Sequence, residues 1–145
     1  MNLQAEQSMR ATPEQVWEVL ADWEHQADWM PDVAWTRVTG TSRELGARIL
    51  VRTRVLGVPA TTDVLEVVEW DPPRLLRVAH RGVVTGWGEW RLEAGPGPTT
   101  RFSWSEHLTL PLGPLGELGL RVYAPVQRAM LRRSLRNLAA LVARG

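Results

Sequence analysis

Ala11-Thr12-Pro13-Glu14-Gln15-Val16-Trp17-Glu18-Val19-Leu20, running on to Asp28-Trp29-Met30-Pro31-Asp32, is the stretch that decides the architecture of this chain. Thr12 is placed to cap a helix, Pro13 suits its first position, and Gln15 completes a capping box. Val16, Trp17, Val19 and Leu20 supply the apolar face. Asp22 can cap a second short helix over 23–29, and Pro31 forbids its continuation. The partner of this opening lies at the far end, where one long Leu/Arg helix is expected over 114–143. Strand, two short helices, a run of strands and one closing helix is an uncommon order. It suggests a curved sheet gripping a helix, with space for a small molecule between them.

Outward from that opening, residues 2–10 alternate as a first strand, with Leu3, Ala5, Gln7 and Met9 on one face. Further strands are expected over 33–39, 47–56 and 61–70. In the last of these Val64, Leu65, Val67 and Val68 break the alternation, which predicts a bulge. Residues 75–81, 84–93 and 100–110 read as two successive hairpins, turning at Gly82 and at Gly95-Pro96-Gly97-Pro98. On the closing helix, Leu115, Leu118, Val122, Val126, Ala129, Met130 and Leu141 suit one buried face, which Leu131, Leu135, Leu138 and Val142 broaden. Pro125 predicts a kink or a break into two pieces. Arg128, Arg132 and Arg136 fall one turn apart and read as a solvated stripe. Anionic lipid or a protein partner is the lesser reading. The segment 111–119 is a candidate movable entrance, against the plainer reading of a rigid turn.

Composition narrows the classes. A chain of 145 residues, 44% hydrophobic, is read as one domain over 1–145 with a full core. No segment approaches the roughly 20 apolar residues of a membrane span, so stable membrane insertion is not expected. The first residues lack a basic start and an apolar run, so a cytoplasmic location is expected. With no Cys, thiolate chemistry and disulfides are excluded. All 17 basic residues are Arg, which fits a GC-rich bacterial genome and rules out a Schiff-base lysine. His25, His80 and His107 lack metal-ligand spacing, and no phosphate-loop or dinucleotide pattern is present, so no cofactor and no metal are expected. The net charge of +1 gives no pull toward nucleic acid, and no nucleic-acid partner is expected.

Thr12-Pro13-Glu14-Gln15-Val16-Trp17 followed by Trp29-Met30-Pro31 resembles the entry segment of the START-like (SRPBCC) superfamily. Glu69-Trp70-Asp71-Pro72-Pro73-Arg74-Leu75, Gly86-Trp87-Gly88-Glu89-Trp90 and Thr100-Arg101-Phe102-Ser103-Trp104 are similar to its polyketide cyclase/dehydrase branch. The resemblance covers nearly the whole chain. It implies an α+β helix-grip fold: a curved antiparallel sheet of about seven strands wrapped around a long C-terminal helix, with two short helices after the first strand and a hydrophobic cavity. Members cyclise or dehydrate polyketides, carry lipids and hormones, or act through protein partners, so the fold does not choose among them.

Candidate chemistry follows from strand parity. In Phe102-Ser103-Trp104-Ser105-Glu106-His107-Leu108 the apolar residues hold even positions, so Glu106 joins them on the concave face. A carboxyl buried among apolar groups is pushed toward neutral pH, where it serves as general acid or base. Gly86 and Gly88 on the preceding strand leave room beside it. His80 shares a face with Leu76 and Val78 and becomes the candidate partner, and Tyr123 brings a phenol from the closing helix. Each has a plainer structural reading: a buried ion pair for Glu106, a hydrogen-bonded strand-end histidine for His80, packing for Tyr123. His25 and His107 read as surface residues. Trp35, Val51, Trp90, Trp104, Leu108, Val126 and Met130 are the expected ligand contacts, whereas Trp17 and Trp70 suit core filling at least as well. The expected function is binding of a small hydrophobic or aromatic, polyketide-like molecule, with cyclisation/dehydration by Glu106 and His80 or Tyr123 as the enzymatic form. The alternatives are a non-catalytic carrier or sensor and a partner-binding module, acting as a monomer or homodimer.

Overall fold

A computed structural model describes residues 1–144. Seven strands form one antiparallel sheet: β1 (Asn2–Met9), β2 (Val33–Thr39), β3 (Arg48–Val55), β4 (Val58–Asp71), β5 (Leu75–Arg81), β6 (Thr85–Ala94) and β7 (Thr100–Thr109). Their spatial order is β1-β7-β6-β5-β4-β3-β2, so the chain's first strand closes one edge beside its last. Helix α1 (Pro13–Leu20) and a 3-10 helix (Trp23–Asp28) follow β1, and α2 (Pro114–Arg144) closes the chain in the curve of the sheet. This is the helix-grip arrangement.

Local chemistry explains the opening. The Gln15 backbone N–H donates to Thr12 Oγ1 at 3.3 Å, and the Thr12 N–H donates to Gln15 Oε1 at 2.9 Å, a reciprocal capping box. Asp22 does not cap the next helix. Its carboxylate is taken by His25 Nδ1 at 2.8 Å, and that turn winds as 3-10 with His25 outside helical geometry. The Gln26 carbonyl accepts from the N–H groups of Trp29 and Met30, which turns the chain into β2. The predicted bulge in β4 lies between Val67 and Glu69, with further irregularities at Val33/Trp35 and Thr53/Arg54.

Helix α2 departs from two expectations. It runs unbroken through Pro125. Pro125 is exposed, so the carbonyl freed one turn earlier can turn to water. Its inward face is Gly116, Leu120, Ala124, Leu131, Ser134, Leu135, Leu138 and Val142. Leu115, Leu118, Val122 and Ala129 point out to solvent instead, Leu118 being 57% exposed. The inward series falls on one face of the helix, so its period is helical, but it includes Gly, Ala and Ser, and at Gly116 bulk would collide. A Cβ on Gly116 would come 2.1 Å from the Pro111 carbonyl oxygen, so the 110s turn folds tightly onto the first turn of α2. Arg128, Arg132 and Arg136 are exposed.

The two halves of α2 do different things. Leu131, Leu135, Leu138 and Val142 pack into a core with Val16, Leu20, Trp29, Met9 and Phe102. Asn137 Nδ2 donates to the Trp29 carbonyl at 3.2 Å and ties the helix to the opening segment. The earlier half leaves a gap under Leu120, Tyr123 and Gln127, and that gap is the cavity. Among the described residues no helix is long and apolar enough to cross a membrane.

Candidate functional site

The cavity measures about 410 Å³ and lies between the concave sheet face and the first half of α2. Its walls are mainly apolar: Val51, Leu65, Leu76, Val78, Trp90, Trp104, Leu108 and Leu120 among them. Exposed Val55 and Val83, with Gly119, also line it, so the mouth opens beside the β3–β4 and β5–β6 turns. That size and lining suit one modest organic molecule.

Three strands assemble the polar centre. Antiparallel pairing sets His80 opposite Gly86, and Gly88 opposite Glu106. His80 and Glu106 are thus two strands apart, about 10 Å across the sheet. They meet over the bare inner face of β6: His80 Nε2 donates to Glu106 Oε2 at 2.7 Å. A Cβ on Gly88 would fall 3.0 Å from Glu106 Oε1 and 3.1 Å from its Cδ. The glycine therefore makes room for the carboxylate itself rather than for the ligand. Trp104 Nε1 donates to Glu106 Oε1 at 2.9 Å, so both carboxylate oxygens are held. The side chains of His80 and Glu106 are only 18% and 13% exposed, so water screens the pair weakly. Burial pulls the His80 imidazole down, but the charge and hydrogen bond of Glu106, with the charge of Asp63, outweigh it and hold His80 above 6.5. Asp63 is buried, lines the cavity and accepts from the Val83 N–H at 3.0 Å.

Of the residues expected from the sequence, Glu106, His80 and Tyr123 all line the cavity, as do Val51, Trp90, Trp104 and Leu108. Glu106 is paired with His80, the partner expected for it, through the 2.7 Å hydrogen bond. Three expected ligand contacts stand elsewhere. Trp35 is 39% exposed on the edge strand β2, with the Arg37 guanidinium 5.2 Å above its ring. Val126 and Met130 are half-buried on α2 but outside the cavity lining, because the helix is turned toward Tyr123 and Gln127. Trp17 and Trp70 pack edge to face at 5.2 Å, outside the lining. His25 is exposed, and His107 stacks on Trp87 on the outer side of the sheet.

The sequence reading missed Trp23, Gln26, Asp32, Asp63, Arg54 and Gln127, which also line the cavity. Asp63 shares its parity with Leu65 and Val67, a signal hidden by the bulge just beyond. Trp23 and Gln26 share the buried face of the 3-10 helix, three residues apart, and Asp32 sits in a loop where no period marks facing. Trp23 stacks on Trp90 at 5.8 Å, and Trp90 meets Trp104 edge to face at 5.7 Å, so one end of the cavity is walled by indoles. Among the described residues no three His, Asp or Glu side chains converge as metal ligands would.

A sheet-and-helix grip around an apolar chamber with a buried His–Glu pair defines a ligand-binding helix-grip protein. The sequence profile of the family described as polyketide cyclase / dehydrase and lipid transport matches residues 2–143. The chain belongs to that family. Similar solved structures include the Zhui aromatase/cyclase from Streptomyces, at 17% identity and TM-score 0.83, covering 99% of this chain and 94% of that one. A protein from Thermus thermophilus aligns at 21% identity and TM-score 0.80, covering 99% and 97%. A START superfamily protein from Mycobacterium smegmatis aligns at 12% identity and TM-score 0.70, covering 99% and 95%. At these identities the likeness is one of fold. Among curated proteins none matches the chain.

Proposed function

We propose that this protein binds a small hydrophobic or aromatic, polyketide-like molecule in its cavity and catalyses ring closure and loss of water there. The observation that carries this reading is the His80–Glu106 pair, 2.7 Å apart and shielded from water inside an apolar chamber. A carboxylate that accepts from Nε2 keeps a neutral imidazole protonated there and leaves Nδ1 as the base. His80 removes a proton from the carbon beside a ketone, and the C–H electron pair becomes the enolate. That carbon attacks a second carbonyl of the same chain, a C–C bond forms, and the imidazolium returns its proton to the new alkoxide. A second proton removal by His80 expels the hydroxyl, which takes the imidazolium proton and departs as water. Glu106 stabilises the imidazolium at each stage, and Tyr123 supplies a further O–H from α2. Trp23, Trp90 and Trp104 hold the flattening product by stacking. The unit is proposed to act in the cytoplasm, as a monomer or homodimer.

The carrier reading has one specific support, the lipid transport half of the family description. Glu106→Gln separates the two. Turnover of a linear poly-β-ketone should fall by about 10²–10⁴-fold while its binding stays within a few-fold of wild type. Undiminished product formation rejects the catalytic role and leaves the carrier.

A further inference from the structure

The cavity contains a second polar station that the His80–Glu106 chemistry does not use. Gln26 lines the chamber, is 1% exposed, and its side-chain Nε2 has no hydrogen-bond partner among the described residues. A buried amide N–H left unmade destabilises the fold, so a fold retains one where something else completes it. Asp32 lines the same chamber from the loop entering β2. Its backbone carbonyl is fixed by the Arg54 N–H at 2.6 Å, and the Arg54 guanidinium donates to the Val33 carbonyl at 3.1 Å. The nearby cation is thus engaged with backbone. Burial holds the Asp32 carboxyl above its usual range, opposed by its own backbone hydrogen bond and aided by the like charge of Glu106. The lining carries three acidic side chains, Asp32, Asp63 and Glu106, of which Glu106 is paired with His80.

We infer that Gln26 and Asp32 form a subsite that accepts a neutral carbonyl of the ligand and rejects carboxylates. The Gln26 amide donates to the carbonyl oxygen and the Asp32 carboxylate repels a second anion, while the apolar body of the ligand lies against Trp23, Trp90 and Trp104. Free fatty acids and aromatic acids are excluded by charge, and pure hydrocarbons leave the Gln26 donor unmade. The inference rests on the chamber being the ligand site. It does not need His80 to be a base.

Three probes of one shape test it by calorimetry: 2-acetylnaphthalene, 2-ethylnaphthalene and 2-naphthoate at pH 7.5. The ketone should bind at least tenfold tighter than either of the others. Gln26→Met should reduce the ketone-to-hydrocarbon ratio to near one without weakening the hydrocarbon. Asp32→Asn, which removes the charge, should restore naphthoate binding and leave the Gln26-bound ketone unchanged. Equal affinity for ketone and hydrocarbon in wild type, naphthoate binding as tightly as the ketone, or no ketone binding at millimolar concentration overturns the subsite. If Gln26→Met fails to fold, the Asp32→Asn result decides alone. Exchange of the acetyl protons of the bound ketone into deuterated water, followed by NMR, reads His80 separately. A ketone preference without exchange keeps the subsite and removes the catalytic reading; exchange without the preference does the reverse.

Discussion

Glu106 is held on both oxygens, by His80 Nε2 and Trp104 Nε1, and Gly88 is the residue that lets this happen. Gly88→Ala places a methyl 3.0 Å from the carboxylate and should push it off the imidazole. Misplacement on that scale should cost about 10²-fold in turnover, with the NMR midpoint of His80 falling toward 6.5. An unchanged midpoint would mean the pair tolerates the methyl. The pair also makes stability depend on pH. Because His80 titrates higher in the folded chain than its unfolded value of 6.5, the folded state binds more protons in that interval. Its contribution is complete below 6.5 and is lost as pH rises through the folded midpoint. His25, raised by its hydrogen bond to Asp22 and by that residue's charge, slopes the same way, but on the protein surface. Thermal melts of wild type and Glu106→Gln from pH 5.5 to 9 cancel the His25 part. The difference in Tm should shrink as pH rises, and a constant difference would contradict the pairing. At this scale strand parity alone placed Glu106 and His80 on the inner face, because each stands in register with two or more apolar neighbours. It was silent on Gln26, a polar residue one 3-10 turn after Trp23 on the buried face, and on Asp32, which lies in a loop.

Among the elements, α2 shows most clearly what periodicity can and cannot tell. Its second half was legible because Leu131, Leu135, Leu138 and Val142 are both bulky and inward. Its first half misled because bulk and facing part company. Gly116 faces the 110s turn, Leu120, Tyr123 and Gln127 face the chamber, and Leu115, Leu118 and Val122 face water. The same rotation leaves Val126 and Met130 outside the cavity lining and puts Gln127 in it. Leu138→Ala should therefore cost about 2–5 kcal/mol in denaturant unfolding. Leu118→Ala should stay within about 0.5 kcal/mol. A large loss at Leu118 would show that the exposed row is covered by something in solution. The capping box and the hairpins needed only local chemistry, so Thr12, Gln15 and the Gly-Pro turn at 95–98 read correctly from the sequence.

For the whole molecule, the order of elements told the fold because few arrangements place one long helix after seven antiparallel strands and still bury its apolar side. The sequence could not show the volume left over, which depends on how far α2 stands off the sheet. That distance is set where α2 meets β1 and the opening segment, through Asn137 and the Trp29 carbonyl, far along the chain from the chamber. Trp35 illustrates the same limit: its indole is as suitable for a pocket as that of Trp90, but β2 lies at the sheet edge and turns it outward.

The most direct measurement is a crystal structure of the protein soaked with 2-acetylnaphthalene. The naphthyl ring should appear inside the sheet, against Trp90 and Trp104, with the His80–Glu106 pair alongside and α2 in place. A chamber closed by side chains, with the ring bound only on the outer surface, would contradict the account.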